Sequence, residues 1–194
     1  MKNTTTTLKS ENTVLQALAK GACPICALVR AYQNETIENF KSSGIDSVCN
    51  YHAWALAASA PAAEVANLFL RILEHRPSVE GNGRDAKPEC DFCALLRQHE
   101  HLRLQEFARE MRRIPFRDWI EKHGTVCHVH AQTLMKMVPE EDISLVASII
   151  AHNEDDFKEA LLDCKTRISE GRQIVGGILG KVAEFLVAQR GLAR

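Results

Sequence analysis

The sequence predicts an all-α protein, and three observations carry that expectation. Ala and Leu are abundant while aromatic residues make up only 6% of the chain, a balance that favours helices over sheets. Apolar residues recur at three- and four-residue spacing in segment after segment. No segment alternates apolar and polar residues at the period of two that a half-buried strand requires. Hydrophobic residues form 45% of the 194, enough for a core, arranged as one domain or two small ones.

The elements follow in order. Ser10 is a plausible N-cap for a short helix with Val14, Leu15 and Leu18, ended by Gly21. Ala27 to Phe40 reads as a helix with Leu28, Val29, Tyr32, Thr36 and Phe40 inward, broken by Ser42-Ser43-Gly44. Ala53 to Ala58 makes a short helix, and Ser59 with Pro61 opens another from Ala62 to His75. Val65, Leu68, Phe69, Ile72 and Leu73 form its stripe. Pro77 to Glu89, with two glycines and two prolines, reads as a linker. Ala94 to Arg113 turns Leu96, Leu104, Phe107 and Met111 inward before Pro115 stops it, and Phe116 to Lys122 is a short helix. Pro139-Glu140-Glu141-Asp142 starts a long helix to about Ser169, with acids at the positive end of the helix dipole. Its inward residues are Ile143, Val146, Ile150, Phe157, Leu161, Cys164 and Ile168. A last helix, Gln173 to Gln189, presents Val175, Leu179, Val182 and Leu186.

Four short pairs punctuate these helices: Cys23-Pro-Ile-Cys26, Cys49-Asn-Tyr-His52, Cys90-Asp-Phe-Cys93 and Cys127-His-Val-His130. C-x-x-C followed by C-x-x-H is thus stated twice, and the pairs take six of the seven cysteines. Cys23 to Arg30 and Cys90 to Arg97 also match around the pairs, reading as a two-copy repeat. Two sets of three cysteines and one histidine are the donor pattern of two closed tetrahedral zinc sites. Four protein donors leave no position for water, so such sites are structural. Nearest-neighbour assignment gives Cys23, Cys26, Cys49 and His52 one ion, and Cys90, Cys93, Cys127 and His130 the other. An interleaved arrangement, with each ion drawing pairs from both halves, is the alternative. Iron–sulfur clusters are the rival cofactor, although they usually take four cysteines. A thioredoxin-like use of C-x-x-C lacks its βαβ setting.

Other groups have blander readings. Cys164 lies on an apolar stripe and reads as a packed core thiol. His152, Asp156, Glu159 and Asp163 share a helix face opposite that stripe, where solvated charge belongs. His99 and His101 point apart on a helix, and His128 stands where the first copy has Asn50, so none of the three is expected to bind an ion. The arginines between Arg97 and Arg117 are offset by acids at ion-pair spacing. Gly176, Gly177 and Gly180 within a helical run suggest close approach of another helix, internal or from a second copy.

The chain resembles an uncharacterised bacterial family of helical proteins, a domain of unknown function. That family carries C-P-x-C, a downstream C-x-x-H, and a second pair of each, matched here by Cys23, Pro24, Cys26, Cys49 and His52, then Cys90, Cys93, Cys127 and His130. Asp91 replaces the proline in the second copy. The resemblance implies the metal sites and no activity.

These observations divide the chain into a tail and short helix at 1–22, a first motif-bearing half at 23–76, a linker at 77–89, and a second half at 90–194 with the long helices. Net charge is −1, which argues against nucleic acid or anionic membrane as partner. No apolar signal segment or membrane span is evident, so a cytoplasmic protein is expected, where close thiols more often bind metal than form disulfides. The leading expectation is a non-enzymatic scaffold with two Zn2+ ions and a protein partner, with its glycine-containing last helix as the candidate surface for self-association. A redox protein, with iron–sulfur clusters or a thiol switch, is the second reading, and a nucleic-acid-binding regulator the third.

Overall fold

The computed structural model describes residues 23–74, 89–173 and 177–187. Among them are eight α-helices and no strand. They are α1 (Pro24–Glu38), α2 (Asn50–Ser59), α3 (Ala62–Glu74), α4 (Asp91–Glu110), α5 (Ile114–His123), α6 (His128–Met135), α7 (Glu140–Ser169) and α8 (Ile178–Val187). The all-α expectation holds. The helix expected at Ser10, the linker expected at 77–89 apart from Glu89, and residues 174–176 (with Val175) and 188–189 of the expected last helix lie outside the described residues. No described helix is long and apolar enough to cross a membrane.

Of the described residues, 23–29 and those from 100 onward form one compact unit, and 30–74 with 89–99 form a second. Two helices pass from one unit to the other, α1 after Val29 and α4 after His99.

In the second unit, α2 packs on α3, and Ile37, Phe40, Ile45, Leu56, Val65, Leu68, Cys90 and Phe92 make one continuous buried cluster. The segment between α1 and α2 turns at Gly44, whose φ of +78° favours glycine. Helix α3 holds that segment from one side. Glu64 accepts the Ser42 backbone N–H at 2.8 Å, and Arg71 donates to the carbonyls of Ser42 and Ile45, the latter at 2.7 Å. The Arg71 guanidinium also lies 3.5 Å from Asp46.

In the first unit, α6 packs on α7 and α8, and both α5 and α8 pack on α7. Leu104, Phe107, Met111, Ile120, Leu134, Leu145, Val146, Ile149 and Phe185 are buried there. Asp142, in the acidic first turn of α7, is buried and accepts from Arg117 of α5 at 2.6 Å. That bond ties α5 to the start of α7 and satisfies a carboxylate that would be costly to bury alone.

Several expected faces are corrected. Leu73, Leu161 and Ile168 are exposed, and beyond Phe157 the buried position on α7 is Cys164. On α8 Phe185 is buried, while Leu179 and Leu186 face outward. A period-3.6 stripe marks a side but does not say how far along the helix a neighbour covers it. Among the described residues no internal helix approaches Gly177 or Gly180, where an added Cβ would meet nothing within 4 Å, and Gly176 lies outside the described residues. Gly177 has another reason, its φ of +89° just before α8.

Candidate metal centres

All four motif pairs occupy the same local position. Cys49 and Cys127 are N-caps with extended backbones, φ −77° and −68°, so His52 and His130 stand at the third helical position. Cys23 and Cys90 immediately precede Pro24 and Asp91, the first residues of α1 and α4. In each case the carbonyl of the leading cysteine accepts the first helical bond, from Ala27, Ala53, Ala94 or Ala131, at 2.9 to 3.0 Å. Cys49 to His52 and Cys127 to His130 open their helices as expected, whereas α1 and α4 start at Pro24 and Asp91, within their motifs and ahead of the expected Ala27 and Ala94. N-cap and third position lie on one side of the opening turn, so both donors of a pair point the same way. The helix N-terminus adds partial positive charge that favours thiolates.

The pairs assemble in interleaved fashion. Cys23, Cys26, Cys127 and His130 converge in the first unit, and Cys49, His52, Cys90 and Cys93 in the second, with the donor atoms of each group within 4.8 Å of one another. The nearest-neighbour pairing is thereby overturned. The reason is helix length: at 1.5 Å per residue, α1 carries the chain about 22 Å onward from its first turn and α4 about 30 Å. A C-x-x-H that follows such a helix is delivered to a different place from the C-x-x-C that begins it.

Both groups have the dimensions of one tetrahedral ion. Bonds of about 2.3 Å to sulfur and 2.0–2.1 Å to nitrogen space tetrahedral donors about 3.8 Å apart for two sulfurs and about 3.6 Å for sulfur and nitrogen. In the first centre the Nδ1 atom of His130 lies 3.4 Å from Cys23 Sγ, 3.4 Å from Cys26 Sγ and 3.1 Å from Cys127 Sγ, and the Cys26 and Cys127 sulfurs are 3.7 Å apart. In the second, His52 Nδ1 lies 3.3, 3.4 and 3.5 Å from the sulfurs of Cys49, Cys90 and Cys93, and Cys49 Sγ is 3.8 Å from Cys93 Sγ. All seven cysteines are free thiols. The residues present fit a metal ion in both places.

The electrostatics differ between the centres. Burial opposes charge on His130, but hydrogen bonds with Cys127, Cys23 and Glu100 outweigh it and push its pKa up to about 12. Burial also opposes charge on Cys23, yet bonds from Cys127, Cys26 and His130 hold its thiol well below the ordinary value. Cys26 is raised because its bonds to Cys127 and Cys23 favour the protonated form, with burial adding to the effect. In the second centre burial lowers His52. Burial and the neighbouring Cys90 push Cys93 up to about 12. For Cys49, burial is outweighed by the His52 backbone N–H and the Cys90 and Cys93 thiols, so its pKa falls.

A sign follows for metal uptake. Cys26, Cys93 and His130 are raised, so each holds a proton at neutral pH in the metal-free chain, whereas a metal needs thiolates and neutral imidazoles. Loading with zinc at pH 7 should release these protons, and affinity should fall as pH falls. Calorimetric titrations in buffers of different ionisation enthalpy measure the release directly. Heats independent of the buffer would contradict this assignment of protons.

Three residues that the motif pattern does not mark hold the donors in place. Asp91 accepts the backbone N–H groups of Asp46 at 2.8 Å and Ser47 at 2.9 Å through one carboxylate oxygen, and its own N–H donates to Ser47 O at 3.0 Å. It thus fastens the approach to Cys49 against the turn that carries Cys90 and Cys93. Its place in the C-x-x-C pair, where the other such pair has Pro24, was the available signal. Asn153, buried on α7, donates to the Gly124 carbonyl at 3.3 Å and fixes the segment leading to Cys127. Glu100 lies 2.6 Å from His130 Nε2.

The spare groups lie elsewhere. His99 stacks on Tyr32 with centroids 3.9 Å apart, His101 pairs with Gln105, and His128 pairs with Gln132. His152, Asp156, Glu159 and Asp163 are exposed, and Cys164 is buried apart from both centres. A small pocket beside the first centre is lined by Cys23, Cys26, Cys127, Phe157, Lys181 and Phe185, among others. No family model, curated protein or solved structure matches the chain. Any reading of function therefore rests on the two centres themselves.

Proposed function

We propose that the chain is a non-enzymatic helical scaffold held by two structural zinc ions, serving as a protein-interaction or regulatory module in a reducing compartment. One observation carries this reading: both donor groups match the edge lengths of a single tetrahedral ion. A cluster with several irons distributes its thiolates over different metal atoms and spreads them beyond one tetrahedron edge, so the spacing favours one ion per centre. Three thiolates and an imidazole suit zinc among the common single ions. With four protein donors no open position remains for substrate or water, which favours a structural role over catalysis. Exposed Trp54, Leu70 and Leu73 on α2 and α3 supply apolar surface for a partner.

Protein purified without oxygen should contain two zinc ions per chain by elemental analysis and be colourless. Cobalt substitution should give the intense visible bands of tetrahedral thiolate coordination. Iron with inorganic sulfide in the purified protein would replace the zinc reading with the cluster reading.

A further inference from the structure

The two centres share donors and dimensions but differ in what surrounds them. Each histidine turns Nδ1 toward its three sulfurs, so each must place Nε2 elsewhere. In the first centre that atom meets Glu100 Oε1 at 2.6 Å. A carboxylate in this place fixes the ring's orientation and its tautomer, since the proton sits on Nε2 and leaves the Nδ1 lone pair for the ion. In the second centre His52 Nε2 is buried and has no hydrogen-bond partner among the described residues. Its ring is held by Phe92, stacked at 5.3 Å, and by the edge of Tyr51 at 5.1 Å. Aromatic contacts restrict where the ring lies, but they accept no proton from Nε2 and add no electron density to Nδ1.

Burial points the same way. Cys23, Cys26, Cys127 and His130 are all buried, whereas Cys49 and Cys93 in the second centre are only partly so. Two of its cysteines are thus partly exposed, and exchange of a bound metal usually begins with attack on one metal–thiolate bond.

We infer that the centres divide the work: Cys23, Cys26, Cys127 and His130 hold a permanent zinc, Cys49, His52, Cys90 and Cys93 hold an exchangeable one, and Glu100 is the positioning residue that makes the difference. The inference rests on the zinc reading above. It makes the second unit the part of the chain whose order responds to available zinc, while the first keeps its cross-link.

The test is metal release from the fully loaded full-length chain into excess EDTA, after the zinc has been counted. Wild-type protein should lose its zinc in two equal phases whose rates differ by at least about ten-fold, the scale on which such outer partners act. Cys49→Ser should keep the slow phase alone. Glu100→Ala should still bind two zinc ions with unchanged helix content, but its slow phase should quicken by about 10–100-fold. In the cobalt-loaded protein the same substitution should shift the visible bands of one centre and not the other, which a general loss of stability would not do. A single rate for both ions, a slow phase that survives unchanged in Glu100→Ala, or a slow phase lost in Cys49→Ser overturns the inference. A chain that takes up fewer than two zinc ions fails at the counting step, which sinks the zinc reading itself. Two ions leaving at one rate would leave that reading standing and remove only the inequality.

Discussion

The double variant Cys23→Ser/Cys127→Ser should retain one zinc, and Cys23→Ser/Cys49→Ser should retain none. The first removes two donors from one centre, and the second removes one donor from each. Nearest-neighbour pairing demands the reverse outcome, so two metal counts decide between the arrangements. The structural effect should be as large as the stoichiometric one. A structural zinc contributes an apparent binding free energy of about 10–16 kcal/mol in small domains, against a net stability of about 5–15 kcal/mol for a typical fold. Limited proteolysis of Cys23→Ser/Cys127→Ser should cut within α5 and α6 while α2 and α3 stay protected. Protection of α5 and α6 equal to wild type would show that the first unit stands without its metal.

Phe92→Ala should cost about 3–5 kcal/mol, the range for removing a large aromatic side chain from a core, and should lower the zinc affinity of the second centre in the same measurement. Phe92 is 1% exposed, lies between Cys90 and Cys93 in sequence, and packs on both Phe40 and the His52 ring. Truncation opens a cavity and frees the ring that carries a donor. Phe92→Leu should recover most of the stability but less of the affinity, because it fills space without a flat face against the imidazole. Denaturant unfolding and zinc competition on both variants provide the check. Stability lost with affinity unchanged would confine Phe92 to packing.

The class of fold was legible because helical periodicity is local: Leu96, Leu104 and Phe107 of α4, and Met111 just beyond it, are buried as their spacing predicts. The eight donors were legible because few other uses account for cysteine and histidine at this spacing. Their partition was not. It depends on where α1 and α4 deliver the chain, a property of whole helices that no motif records. The supporting residues were hidden for a related reason. Glu100 sits 30 residues from His130, and Asp91 sits 44 residues from Ser47, so neither contact leaves a local pattern. Exposure of Leu161, Ile168, Leu179 and Leu186 was equally hidden, since an apolar stripe does not reveal where its cover ends.

Interleaving also sets an order for synthesis. The second centre joins residues 44 apart, Cys49 and Cys93, entirely inside the span of 101 between Cys26 and Cys127. A chain made from its N-terminus at about 5–20 residues per second leaves Cys23 and Cys26 waiting about 5–20 s for Cys127 and His130. During that interval Cys49 and His52 are the nearest soft donors, and the arrangement that the mature fold rejects is the one that a nascent chain meets first. Closing the inner span early withdraws Cys49 and His52 from that competition. On the proposed reading the inner centre would serve as a guard as well as a cross-link, because it takes Cys49 and His52 out of reach of Cys23 and Cys26.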